Sequence, residues 1–248
     1  MTAWKKNNVT KYYINNRSKY SELYLSESKL LDKLKRKKVK TVLDFGCATG
    51  NFYNIFKKMF GKIEYTGIDI EKEMIRNAVK KFKTNKETRF LTSNKSKLNF
   101  EKNAFDFTFS TSVLHHVKNY KKIIDELVRT SSKYIFIDSP RIHFKNNFTG
   151  KMNLAERFKT NSKKNNNVSY FVVNLKDYLN FLKKIIKKHS INQAYFFCNV
   201  LPYSEEYMSF NDKIFYMTIL LEKSSHKKKF KKILYTKDKE IKKYFRKF

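Results

Sequence analysis

Gly46 and Gly50 are two of only five glycines in the chain, and the stretch around them is where residue types and spacing first suggest chemistry. Val42-Leu43-Asp44-Phe45 is an apolar run carrying one acid, and it breaks at Gly46. Directly after Gly50 an i, i+3, i+4, i+7 stripe begins with Phe52, Ile55, Phe56 and Met59, which is helical spacing. A strand, a glycine turn and a helix start present backbone N–H groups to a ligand. A glycine in so glycine-poor a chain marks a positive φ or a close approach; the alternative is a tight turn that only packs a helix on a strand. A second acid, Asp69, ends the run Glu64–Ile70, and the pair His115-His116 follows the run Phe105–Ser110. Acids beyond the carboxy ends of parallel strands can hold ribose hydroxyls, and histidine titrates where proton transfer is useful at neutral pH.

The turn excludes two nucleotide-binding patterns. A phosphate-cradling loop needs a lysine and a hydroxyl where Asn51-Phe52 stands, and a dinucleotide fingerprint needs Gly-x-Gly-x-x-Gly rather than the Gly-x-x-x-Gly present. The spacing resembles motif I of the class I S-adenosylmethionine-dependent methyltransferases. Gly67-Ile68-Asp69-Ile70-Glu71-Lys72-Glu73-Met74 is similar to the family's second motif, Phe90 to Phe100 to its third, and Phe105 to Val117 to its fourth, so the likeness covers roughly residues 40 to 140. It implies a cofactor site made of Asp44, Phe45, Gly46, Cys47, Ala48, Gly50, Asn51 and Phe52, then Asp69, Ile70 and Met74, then Ser93, Asn94 and Lys95, and finally Ser110 and Thr111. Asp69 would take the ribose, and Ile70 and Met74 would cover the adenine. Asn94 stands where the family commonly has an aspartate for the adenine amino group, and its amide oxygen can still accept that hydrogen bond with less charge assistance.

The cofactor so implied is S-adenosyl-L-methionine, with S-adenosyl-L-homocysteine as product. It carries an activated methyl group, so the protein's first task is to hold an acceptor in line, a positioning effect that supplies about 7–11 kcal/mol in favourable cases. A base is needed only if the acceptor holds a proton it does not lose unaided, such as a hydroxyl. His115 and His116 are the candidates for that role, set against a purely structural role in bracing the loop. His143 is a second choice, while His189 and His226 read as surface residues. No Cys/His cluster has metal-ligand spacing, so no metal is expected. Amino-methylating enzymes of nucleic acids carry Asn/Asp-Pro-Pro-Tyr/Phe where this chain has Ser110-Thr111-Ser112-Val113, and the Pro-Cys of cytosine-C5 enzymes is also absent. A small-molecule or sugar acceptor, methylated on oxygen, is the leading expectation. An RNA or other polyanion acceptor and a non-catalytic binding module are the alternatives.

The elements that must position these residues form an α/β, Rossmann-like seven-stranded sheet, mostly parallel with its last strand antiparallel, flanked by helices. Residues 1–38 read as an N-terminal segment, with a helix from about Ser21 to Lys37 and with Tyr13 and Arg17 as possible lid residues. The core, residues 39–222, alternates strands at Thr41–Phe45, Glu64–Ile70, Arg89–Thr92, Phe105–Ser110 and Tyr134–Asp138 with helices at Asn51–Phe60, Lys72–Lys83 and Tyr120–Thr130. An insertion at about 141–170 holds seven basic residues and one acid over Arg141–Val168. It reads equally as a substrate-facing cap or as a surface loop. Helix Leu175–Lys188 and a hairpin of Gln193–Val200 with Lys213–Leu221 close the sheet. The tail, residues 223–248, spaces Phe230, Ile233, Leu234, Ile241, Tyr244 and Phe245 among basic residues, the pattern of an amphipathic helix. That helix would lie on RNA or an anionic membrane, or pack across the sheet edge.

At 248 residues the chain can bury a real core. Its 55 Lys/Arg against 22 Asp/Glu give a net charge of +33, a balance that invites polyanion partners. The excess is spread out: residues 223–248 hold twelve basic residues and two acids. Heavy use of Lys, Asn, Ile, Phe and Tyr offers a compositional account of the lysines. Two cysteines make no disulfide framework. With no apolar leader after Met1 and no run of membrane-spanning length, a cytoplasmic protein is expected.

Overall fold

The computed structural model describes residues 7–93, 96–153, 167–200, 214–224 and 229–248. The chain begins with helix α1 (Asn7–Asn15), a 3-10 turn at Tyr20–Glu22, and α2 (Leu25–Leu31), which runs into a second 3-10 turn at Asp32–Leu34. The single helix expected over residues 21–37 is therefore broken. Leu30, Leu31 and Leu34 are nonetheless fully buried, so about one and a half turns already satisfy the leucine stripe.

The βα units follow as expected: β1 (Thr41–Phe45), α3 (Phe52–Phe60), β2 (Glu64–Asp69), α4 (Lys72–Phe82), β3 (Thr88–Thr92), β4 (Phe105–Ser110), α5 (Tyr120–Thr130) and β5 (Ser131–Asp138). They are followed by β6 (Arg141–His143), β7 (Phe148–Asn153), β8 (Asn167–Asn174), α6 (Leu175–Lys188), β9 (Ile191–Val200), β10 (Phe215–Lys223), β11 (Lys231–Tyr235) and α7 (Lys239–Arg246). Neighbouring strands run in the order β3-β2-β1-β4-β5-β10, with β9 on the far side of β10 and β11 beyond β9. The pairs among the first five are parallel, and β10 is antiparallel to both β5 and β9. Those seven strands are the sheet expected from the sequence.

Among the described residues the full sheet has eleven strands. At its amino end β10 passes beyond β5, so that Phe215 pairs with Ile142 of β6. Strand β8 then pairs with β6 and β7 with β8. The insertion thus forms strands, not an irregular loop, in its described part; residues 154–166 lie outside the described residues. The tail also departs from a single helix. Lys231–Tyr235 adds a strand parallel to β9, pairing with the edge that β9 leaves open on the side away from β10. Among the described residues of the tail only Lys239–Arg246 is helical, capped by Asp238, whose Oδ1 accepts the N–H groups of Glu240 (2.9 Å) and Ile241 (3.0 Å).

Apolar packing divides by sheet face. On one face α5, α6 and α7 bury Ile124, Leu127, Leu182, Ile241 and Phe245. On the other, α2, α3 and α4 bury Leu30, Phe56 and Ala78 against Phe107, Phe109 and Phe136. The alternating phenylalanines of β4 place Phe109 5.0 Å from the rings of both Phe56 and Phe136, and each such buried side chain contributes about 1.5–3 kcal/mol. A third, smaller cluster joins Val9 of α1, Met74 of α4, Met152 of β7 and Tyr170 of β8. It ties the N-terminal arm to the added strands above the carboxy ends of β1 and β2.

Candidate active site

The turn after β1 is held by its own backbone and by β2. The N–H groups of Gly46 and Cys47 donate to the Ile68 carbonyl at 2.7 and 3.0 Å, and that of Gly50 to the Cys47 carbonyl at 2.8 Å. Gly46, Ala48 and Gly50 all have positive φ, 80°, 48° and 75°. A Cβ on Gly46 would meet Val113 Cγ2 at 2.2 Å, and one on Gly50 would meet the Phe90 ring at 2.6 Å. Both glycines are therefore fixed by conformation and by space. Ala48 bears the strain of a left-handed conformation, offset by its N–H donating to Asp69 Oδ2 at 2.8 Å. Asp69 Oδ1 accepts the Glu71 N–H at 2.9 Å, so one carboxylate ties the glycine turn to the start of α4. Burial pushes the Asp69 carboxyl up, and those backbone N–H groups pull it back down.

Above this turn lies a cavity of ≈ 630 Å³, within the size range of cofactor and small-ligand sites. Its wall contains Asp44, Phe45, Gly46, Cys47, Ala48, Asn51, Phe52, Asp69, Ile70, Met74, Ser93, Thr111 and His116, so the structure brings most of the expected residues together. Three lie off the wall. Gly50 sits beneath Phe90, Ser110 is fully buried at the end of β4, and His115 is 2% exposed. Asn94 and Lys95 lie outside the described residues. Ile70 is 54% exposed beside the cavity, an apolar side chain with much of its surface uncovered.

Asp44 is 2% exposed at the base of the cavity. Burial raises its pKa to about 7, while the Tyr65 hydroxyl, donating to Oδ2 at 2.5 Å, opposes the rise and the charge of Asp69 adds to it. Cys47 is a free, buried thiol whose pKa burial pushes well up, which marks it as a packing residue and not a nucleophile.

The two histidines separate clearly. The His116 ring lies on the cavity wall, and its Nδ1 is 2.8 Å from the carbonyl oxygen of Ser169 on β8. A carbonyl can only accept, so Nδ1 carries the hydrogen and the basic lone pair of the neutral ring is on Nε2. The His115 ring lies against it at a tilt of 47°, ring centres 4.0 Å apart. His143 is buried and accepts the N–H groups of Lys145 and Asn146, and His189 pairs with Asp125. Those two serve local structure. His226 lies outside the described residues.

Sequence reasoning missed how the arm closes the cavity. Asn51 Nδ2 donates to the carbonyls of Tyr13 (2.6 Å) and Asn16 (2.7 Å), and Thr49 Oγ1 donates to Tyr13 at 2.7 Å. Lys81 Nζ donates to Asn51 Oδ1 at 2.7 Å. Two residues of the glycine turn thus hold the end of α1 over the site. Just after the arm helix Arg17 donates to the buried Glu27 at 2.5 Å, and its guanidinium lies 4.3 Å from the Tyr24 ring centre. Thr111 Oγ1 is 2.6 Å from Glu27 and 2.8 Å from Asp138. Burial pushes the Glu27 carboxyl up, and the Arg17 charge pulls the other way. Nothing in residue spacing announces these contacts, although Arg17 and Tyr13 are visible as arm residues.

Among the described residues no group of three or more His, Cys, Asp or Glu could hold a metal ion, and no helix is long and apolar enough to cross a membrane.

An open α/β sheet with a cavity beyond the carboxy ends of β1 and β2, a glycine turn and an acid after β2 is the arrangement of the Rossmann-like methyltransferase fold. Residues 43–133 match the family model described as a methyltransferase domain. The chain is 39% identical over 109 residues to an uncharacterised protein of Methanocaldococcus jannaschii, covering 44% of each. It is 27% identical over 104 residues to the malonyl-[acyl-carrier protein] O-methyltransferase of Legionella pneumophila, covering 41% of this chain and 37% of that protein. It therefore spans less than half the length of these curated relatives. A phosphoethanolamine N-methyltransferase of Haemonchus contortus, solved with S-adenosyl-L-methionine, has the same fold. The TM-score is 0.60 at 16% identity, over 90% of this chain and 58% of that one.

Proposed function

We propose that the chain transfers the methyl group of S-adenosyl-L-methionine to a hydroxyl oxygen of a small-molecule or sugar acceptor, releasing S-adenosyl-L-homocysteine. The observation that carries this reading is His116, on the cavity wall with its tautomer set by the Ser169 carbonyl. The residues present fit the cofactor: an acid with oxygens at the cavity, an exposed Ile70 beside Met74, and a glycine turn that side chains would block. When bound, the cofactor supplies a methyl group on a sulfonium.

Asp69 accepts hydrogen bonds from the ribose hydroxyls with the lone pairs its backbone donors leave. Ile70 and Met74 cover the adenine, Ser93 faces its edge, and residues 44–52 pass along the methionine portion. The arm, held by Thr49 and Asn51, excludes water from the site. His116 takes the acceptor hydroxyl proton on Nε2 as the oxygen–carbon bond forms and the carbon–sulfur bond breaks. His115 backs that ring. The cavity lies under the arm and strand β8, which suits a small acceptor better than a chain. Two reduced cysteines accord with a cytoplasmic location.

The test is transfer of radiolabelled methyl from the cofactor into fractionated cell extract. Label should enter nuclease-resistant small molecules, and His116→Gln should lower turnover about 10²–10⁴-fold with cofactor affinity little changed. Unchanged turnover in His116→Gln, or label confined to nuclease-sensitive material, would overturn it.

A further inference from the structure

The flank formed by α6, β11 and α7 carries a basic surface that the methyl-transfer reading does not use. In α7 the apolar side is spent on the core: Ile241 is fully buried and Phe245 is 3% exposed. Its other side presents Lys239, Lys242, Lys243, Arg246 and Lys247, all exposed. These recur at i, i+3, i+4, i+7 and i+8, so they form one stripe about 12 Å long.

The adjoining elements add to the stripe. Lys183 of α6 donates to the Lys247 carbonyl at 3.1 Å, and Lys232 of β11 to the Phe245 carbonyl at 2.5 Å. Both ammonium groups lie 5.7 Å from the Phe248 ring centre, so two like charges converge on one ring. Burial lowers the Lys232 pKa, and the charge of Lys183 lowers it further. Lys184 and Lys187 continue the exposed side of α6. Such crowding of cations costs free energy that an anionic partner returns.

We propose that this face binds the phosphodiester backbone of a nucleic acid. Charge complementarity selects a polyanion, and the docked apolar side of α7 selects against a membrane. A helix lying in a bilayer interface needs that side for the acyl boundary, and here it is core. A spread of lysines along a helix follows regularly spaced phosphates and gives sequence-independent affinity. The binding is separate from the cavity and stands or falls without the acceptor assigned above.

The experiment measures fluorescence anisotropy of a labelled RNA hairpin, and of a DNA duplex, with the full chain between about 50 and about 200 mM salt. Two triple variants with equal charge change are compared: Lys239→Gln/Lys242→Gln/Lys243→Gln on the face, and Lys38→Gln/Lys58→Gln/Lys62→Gln on other exposed surfaces. Wild-type affinity should fall steeply with salt. The face variant should bind at least about tenfold more weakly with a salt slope smaller by about 2–3, and the control should stay within about threefold. Circular dichroism melting of both variants establishes that they fold. Equal losses in the two variants would show diffuse charge and overturn the proposal, as would absence of wild-type binding at low salt. Face-dependent binding to phosphatidylserine vesicles tighter than to either nucleic acid would overturn it in favour of a membrane.

Discussion

Replacing Asp44 by Asn should remove a pH dependence of stability confined between the ordinary aspartate range and neutrality. Asp44 is buried, and its pKa rises from 3.8 to about 7 because burial penalises its charge more than the Tyr65 hydroxyl stabilises it. A carboxyl raised on folding binds its proton more tightly in the native state. Its contribution is therefore fully present below the unfolded value and is lost as pH rises to the folded one. The full shift corresponds to about 4 kcal/mol, an upper figure for a buried group paired with a tyrosine. Asn keeps an oxygen for the Tyr65 hydroxyl and carries no charge. Urea denaturation of both proteins from pH 4 to pH 8 should show Asp44→Asn gaining stability relative to wild type, with most of the gain before pH 7. Ionised Asp44 also favours a cationic cofactor, so wild-type affinity should rise through the same range and that of Asp44→Asn should not. Parallel stability curves for the two proteins would refute the burial argument.

Other expectations follow from the same contacts. Arg17→Met leaves Glu27 buried without its cation and should destabilise the chain by about 3–5 kcal/mol in the same denaturation assay at pH 8, with a smaller loss at pH 5, where Glu27 takes up a proton more readily. Gly50→Ala forces a Cβ to within 2.6 Å of Phe90 at φ 75° and should cost about 2–4 kcal/mol, read as a lowered melting temperature; an unchanged melting temperature would mean that the turn relaxes freely.

The parts of the fold legible in the sequence were those written in local periodicity. The stripe from Phe52 to Met59, the alternation in Phe105–Ser110 and the stripe in Leu175–Lys188 each give one element with nearly the observed bounds. The added strands were hidden because their partners are distant in the chain. Arg141–His143 owes its extended form to Phe215 and Val172, not to its own residue types. Lys231–Tyr235 reads Lys-Lys-Ile-Leu-Tyr, which carries no strand alternation, and it is extended because it pairs with the open edge of β9. At the site, the glycine turn and Asp69 were visible because backbone geometry demands particular residues there. The contacts that hold the arm were not, because Thr49 and Asn51 make them to main-chain carbonyls that any sequence supplies. The two histidines look equivalent in sequence; burial of one and the Ser169 carbonyl beside the other set them apart.

Calorimetric titration of S-adenosyl-L-homocysteine into wild-type protein and Asp69→Asn tests the central assignment most directly. Two hydrogen bonds from ribose hydroxyls to an ionised carboxylate contribute about 1.5–3 kcal/mol each. The wild type should bind one molecule per chain, and Asp69→Asn should lose at least about 100-fold in affinity while keeping its fold. Equal affinity in the two proteins, or no binding to the wild type, would contradict the account.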